Sequence, residues 1–359
     1  MRVGIVGLPN AGKSSLFNAL TRAGAEVANY PFTTIEPNVA VVGVADPRLD
    51  QVAALLGASE VVPDTIDFHD IAGLVAGAHR GEGLGNQFLG HIREVDAILH
   101  VVRVHRDAGV VHPEGRVDPA ADVATIETEL LYADLEQAER RLDRVERQAR
   151  SGDRAAVAEE AWLRSLLAAL QAGRPARTVA PPEEAPDALR RLGPLTAKPV
   201  LFVANVDEGA AEVPPEIADH AVGHDARAVA VSARLEAELA ELDAEDAAAM
   251  RADLGLAESG LERVVHEAFA LLDLLAFFTA DRDKPAQSRH LRHGLTAWHA
   301  AGTIHRDIQR GFVRAEVIGW RELLEAGGYA AARDRGTLRV EGRDYVVADG
   351  DVLHIRFTP

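Results

Sequence analysis

Along the chain, short apolar runs rich in Val and Ile alternate with segments whose apolar positions recur every three or four residues. Arg2-Val3-Gly4-Ile5-Val6 reads as a buried strand, and Ser15 to Leu20 continues as a helix. Val39 to Val44, Thr65 to His69, Ala97 to Val102, Pro199 to Ala204 and Ala228 to Val231 read as further strands. From Asp122 the period changes. Ile126, Leu130, Leu131, Leu135, Ala138, Leu142 and Val145 lie among charges at helical steps, and Ser151-Gly152-Asp153 ends that run. Ala158, Trp162, Leu166 and Leu170 then carry a second helix, predicting an antiparallel helical hairpin. Thr178 to Pro186 is a proline-rich loop, and Gly260 to Leu272 is a helix that closes this part of the chain. Beyond Phe277, residues 353, 355 and 357 alternate with polar ones as in a half-buried strand, after a turn at Ala348-Asp349-Gly350-Asp351. The pattern is that of an α/β chain with a small mixed C-terminal module.

At 359 residues the chain is long enough for two or three domains, each with a sizeable core. The first strand begins at residue 2 and no apolar run reaches membrane-spanning length, so the expectation is a cytoplasmic protein that engages no membrane. With no cysteine, disulfides, thiolate metal sites and cysteine nucleophiles are excluded. The net charge of −18 argues against wholesale attraction to DNA. It is unevenly spread: Lys284 to Tyr345 holds eleven Lys or Arg against seven Asp or Glu, which is either an ordinary solvated surface or a basic face for RNA.

Between the first strand and helix, Gly7-Leu8-Pro9-Asn10-Ala11-Gly12-Lys13-Ser14 fits the phosphate-binding pattern G-x-x-x-x-G-K-[ST]. The glycines let backbone N–H groups turn inward around a phosphate, and the helix that follows adds its positive end. Lys13 then reaches the β- and γ-phosphates, and the Ser14 hydroxyl serves Mg²⁺. Asn29 to Asn38 is an irregular, proline-punctuated loop placed like switch I, where Thr34, with Thr33 as the second candidate, can close over Mg²⁺ and the γ-phosphate. Asp70-Ile71-Ala72-Gly73-Leu74 follows a strand as D-x-x-G: Asp70 holds the Mg²⁺ water shell and the Gly73 N–H meets the γ-phosphate. Leu74 stands where Ras-like GTPases place a glutamine that orients water, so another group must act or turnover is slow. Two candidates remain open: His112 in the loop Gly109 to Pro113, and a K⁺ ion held at the phosphates with the help of Asn10.

Asn205-Val206-Asp207-Glu208 occupies the place of N-K-x-D, the guanine-reading motif of GTPases. Val206 replaces the lysine and Glu208 sets its carboxylate one methylene further out. That weakens bidentate recognition of guanine, while Asn205 and nearby carbonyls can still serve the N6 amine of adenine. The pattern favours ATP over GTP, and Ser232-Ala233-Arg234 supplies the loop expected to flank the base.

Gly7 to Ser14, Tyr30 to Thr34, Asp70 to Leu74, Gly81 to Phe88 and Asn205 to Glu208 together resemble the YchF family of Obg-like ATPases, over nearly the whole chain. The resemblance implies an Obg-type P-loop NTPase domain over residues 1–276, a coiled-coil insertion over 122–172 and a TGS domain of β-grasp character over 277–359. It implies slow ATP hydrolysis with Mg²⁺, ribosome association in translation or stress regulation, and His112 as the catalytic histidine beside Lys13; a monomer is expected. The implied nucleotide contacts are Asn10, Ala11, Gly12, Lys13, Ser14, Ser15, Gly73, Asn205, Val206, Glu208, Ser232 and Ala233, with Ser14, Thr34 and Asp70 at the metal. A GTPase with relaxed base recognition and a binding protein gated by nucleotide occupancy are the alternatives. The sequence departs from the family before Ala300-Ala301-Gly302-Thr303-Ile304-His305, where His293 to His299 replaces a longer lysine-containing stretch.

Overall fold

The computed structural model describes residues 1–23, 38–71, 84–107, 115–256 and 258–358. In chain order its strands are β1 (Arg2–Val6), β2 (Val39–Gly43), β3 (Glu60–Val62), β4 (Thr65–Asp70), β5 (Ala97–Arg103), β6 (Val200–Asn205), β7 (Arg227–Val231), β8 (Leu274–Thr279), β9 (Pro285–Arg292), β10 (Phe312–Gly319), β11 (Arg339–Glu341) and β12 (Asp351–Phe357). They form two six-stranded sheets, and the chain divides into two compact units, Met1–Val42 with Asp67–Leu271, and Gly43–Ile66 with Leu272–Pro359.

The first sheet runs β2-β4-β1-β5-β6-β7. β1 pairs in parallel with β4 and β5, and β5, β6 and β7 continue in parallel. Every residue of β5 and β6 is buried, which explains why their mostly apolar sequences do not alternate: a parallel strand with both faces covered has no solvent side to mark. The core gathers Val6, Ile92, Ile98, Phe202 and Ala204 from the sheet and its covering helices.

The helix Pro119–Ala149 starts where Asp118 accepts a hydrogen bond from the Ala121 N–H at 3.1 Å and Pro119 presets the first turn. Gly152, at φ 80°, reverses the chain, and Asp153 caps the helix Arg154–Gln171. The two helices bury Ala138, Val145, Trp162, Leu163 and Leu166 between them. Arg141–Glu159 and Arg164–Glu146 ion pairs cross the seam at 2.7 and 2.6 Å. The Asp134 carboxylate, fully buried on the first helix, accepts from the N–H groups of Leu195 and Thr196 and from the Thr196 hydroxyl, at 2.6 to 2.8 Å. This binds the hairpin to the segment that feeds β6.

The second sheet runs β11-β10-β12-β8-β9-β3. β10 is antiparallel to both β11 and β12, β8 is parallel to β12 and antiparallel to β9, and β3 joins β9 in parallel. Leu275, Phe277, Leu291, Ala315, Val317 and Leu353 form its core. Two features differ from the sequence reading. Residues 43–66 belong to this unit, because β3 pairs with β9 across more than two hundred residues of chain, a partner no local pattern names. β12 lacks the expected alternation: Val352 and Leu353 are both buried while Phe357 is 43% exposed. Lying between β10 and β8, the strand is covered on both faces at its start and runs out to solvent at its end.

Candidate functional site

β1 ends at Val6 and delivers the chain into the loop 7–12, from which the helix Lys13–Ala23 departs. Gly7, Asn10 and Gly12 have φ values of 154°, 63° and 101°, a left-handed path that favours glycine and tolerates asparagine. Space matters as much as angle. A Cβ on Gly7 would fall against the carbonyl oxygen of Val101, and one on Gly12 against the carboxamide nitrogen of Asn205.

Lys13 is 9% exposed, and its ammonium donates to the Leu8 carbonyl at 2.8 Å and so stays inside the loop. Burial lowers its pKa and the charge of Asp70 works against that shift. Asp70 ends β4 opposite Ile5 of β1. Burial raises its carboxyl above the ordinary range, with Lys13 opposing. Each of these charges is poorly solvated and eased by the other, an arrangement prepared for a bound ion or phosphate.

Asn205, at the end of β6 and 5% exposed, donates from Nδ2 to the Ala11 carbonyl at 2.9 Å and accepts at Oδ1 from the Ala233 N–H at 3.0 Å. Both halves of its carboxamide are therefore engaged. In this arrangement Asn205 is a strut between the phosphate loop and the loop after β7. Val206 is 4% exposed and packs in the core, so its side chain does not lie over a base as the GTPase lysine does. Glu208 is half exposed and its carboxylate lies 3.2 Å from Arg234. Ser232 caps the helix Ala233–Leu239, accepting from the Leu235 N–H at 3.4 Å.

These segments surround an open cleft of about 850 Å³. It brings together Asn10, Gly12, Lys13, Ser14, Ser15, Asn205, Val206, Glu208, Ser232 and Ala233. Ala11 stands behind it, bound to Asn205. Asp70 is placed by β4 within electrostatic reach of Lys13. Thr34, Gly73, Leu74 and His112 lie outside the described residues. The cleft also has walls that sequence reasoning missed, His105, Asp107 and Glu238, beside Arg234 of the expected base-flanking loop. His105 and Asp107 follow β5 in a turn that buried Arg103 holds by donating to the Asp107 carbonyl at 2.9 Å. The position of that turn after a central parallel strand was the signal available, since ligand sites in open α/β sheets collect at strand carboxyl ends.

A parallel sheet, a glycine-bearing loop that wraps inward ahead of a helix, and an acidic residue ending the neighbouring strand define a P-loop NTPase of the GTPase fold. The family model described as "50S ribosome-binding GTPase" matches residues 2–136, and the YchF-GTPase C-terminal model, described as a protein of unknown function (DUF933), matches residues 274–358. The chain is 46% identical over 363 residues to "Ribosome-binding ATPase YchF" of Bacillus subtilis (strain 168) and 45% identical over 359 residues to the protein of that name from Escherichia coli O157:H7, in each case across 99% of both chains. Among solved structures, the Schizosaccharomyces pombe YchF GTPase superposes with a TM-score of 0.88 at 33% identity, covering 99% of this chain and 97% of that one. A GTP binding protein from Pyrococcus horikoshii OT3, at 20% identity and a TM-score of 0.63, shares the fold. The chain belongs to the YchF family.

Proposed function

We propose that this protein is a ribosome-binding ATPase that works as a slow molecular switch in the cytoplasm. The observation that carries the reading is the single cleft in which the loop 7–12, the β6 end at Asn205 to Glu208 and the Ser232–Arg234 loop face one another. The relatives named ribosome-binding ATPases align with both units, which supports extending the activity and the partner to the whole chain. The C-terminal unit is read as the TGS domain of the family.

In this reading the phosphates lie against the loop N–H groups and the start of the helix Lys13–Ala23. Lys13 already points into the loop from its bond to Leu8, and its burial makes a phosphate oxygen a better partner than the carbonyl it now holds. The donor set of Ser14 hydroxyl and Asp70 carboxylate is all oxygen and suits Mg²⁺, with Thr34 as a further ligand. Mg²⁺, when bound, neutralises charge on the phosphates during transfer. Asn10 projects into the same cleft and is the residue proposed to help hold K⁺, with His112 as the alternative source of catalytic assistance. ATP is preferred because the position that normally packs a lysine over guanine, Val206, is withdrawn into the core, and the Glu208 carboxylate is drawn toward Arg234.

Lys13→Ala and Ser14→Ala each abolish ATP hydrolysis on this account, measured as phosphate release at saturating ATP and Mg²⁺. Unchanged turnover in either variant would remove the assignment.

A further inference from the structure

Away from the cleft, two histidines stand on one face of the helix Pro215–Gly223. His220 lies in its last turn and His224 caps its end, four residues on, so their rings stack with centroids 4.0 Å apart and 24° between planes. Glu127, from the hairpin helix Pro119–Ala149, brings its Oε2 to 2.9 Å from His220 Nε2. Each of the three residues places a ligand atom within 4.8 Å of the others. The His220 and Glu127 side chains are 27% and 21% exposed, sheltered yet reachable from solvent.

We propose that Glu127, His220 and His224 bind one divalent transition-metal ion of the zinc class, which fastens the base of the helical hairpin to the helix Pro215–Gly223. Two imidazoles and one carboxylate make a borderline-soft donor set, suited to Zn²⁺ or Co²⁺ rather than to the all-oxygen preference of Mg²⁺ or Ca²⁺. The outer contacts favour a ligating tautomer. His224 Nδ1 lies 2.9 Å from the His220 carbonyl oxygen, so it carries the proton there and leaves the Nε2 lone pair for an ion. Phe202 sits edge-on to His220 at 5.5 Å and closes the apolar side. Arg177 is the neighbouring cation, and its guanidinium is held by donating to the carbonyls of His224 at 2.6 Å and Thr196 at 3.1 Å. A cation so placed opposes any ion held by charge alone, so binding there rests on the nitrogen lone pairs. The ion replaces the direct His220–Glu127 contact as the link between the two elements.

The test uses the full chain, stripped with EDTA and free of nucleotide, titrated with Co²⁺ and with Zn²⁺. The expected result is one ion per chain, a visible Co²⁺ absorption band that Zn²⁺ bleaches, and a higher thermal midpoint with Zn²⁺ than with Mg²⁺. His224→Gln and Glu127→Gln, each with unchanged circular dichroism in EDTA, bind at least tenfold more weakly on this account. Absence of the band and of the thermal shift in the parent protein would overturn the proposal. So would equal affinity in the variants, which would place the ion on other histidines. Should one variant fail to fold, the other carries the comparison.

Discussion

Asn205 shows how one side chain can organise the cleft it lines. Its carboxamide spans the Ala11 carbonyl and the Ala233 N–H in a buried position, so the phosphate loop and the loop after β7 are set at a fixed separation. Asn205→Ala strands two buried polar groups, each costing about 1–3 kcal/mol when left without a partner. The expected outcome is a lower thermal midpoint together with weaker nucleotide binding, read by melting and by equilibrium titration. A variant that lost nucleotide affinity with unchanged stability would mark Asn205 as a direct base contact rather than a strut. The same residue marks what could be read beforehand. Gly7 to Ser14 were legible because their chemistry is fixed by covalent spacing. The strut was not, because its partners lie 194 and 28 residues away. The need for glycine at position 12 was likewise visible as a backbone requirement, whereas its second cause, the amide of Asn205 pressed against it, exists only in the fold.

At the scale of elements, the helical hairpin was legible in its own period and its Gly152 turn, and the buried strands in their apolar runs. What escaped was pairing between distant segments, of which β3 on β9 is the clearest case. Asp64, between β3 and β4, accepts hydrogen bonds from the Thr65 and His290 N–H groups at 2.9 and 2.7 Å, and lies 2.9 Å from the His290 Nδ1. Burial works to raise the Asp64 carboxyl, but the bonds from His290 and Thr65 outweigh it and hold its pKa below the ordinary 3.8. The native state therefore binds fewer protons here than the unfolded chain. The stabilisation is complete above pH 3.8 and is lost as pH falls through the lower folded value. Asp64→Asn should lower stability at neutral pH and reduce the part of the acid loss that falls in that window, as followed by denaturant unfolding at a series of pH values. An unchanged acid profile would show that the carboxylate contributes nothing to holding β9.

For the whole molecule, the chain combines a nucleotide-binding unit with a second unit assembled from residues 43–66 and 272–359. Among the described residues no helix is long and apolar enough to cross a membrane. The net charge of −18 disfavours attraction to RNA through the protein's overall field. The central claim is that the altered base-reading loop, with Val206 withdrawn into the core and Glu208 turned to Arg234, has changed the preferred nucleotide. The most direct measurement is equilibrium titration of the full chain with ATP and with GTP, in Mg²⁺ and in both K⁺ and Na⁺ buffers. The account predicts tighter binding of ATP in either buffer. Tighter binding of GTP would contradict it.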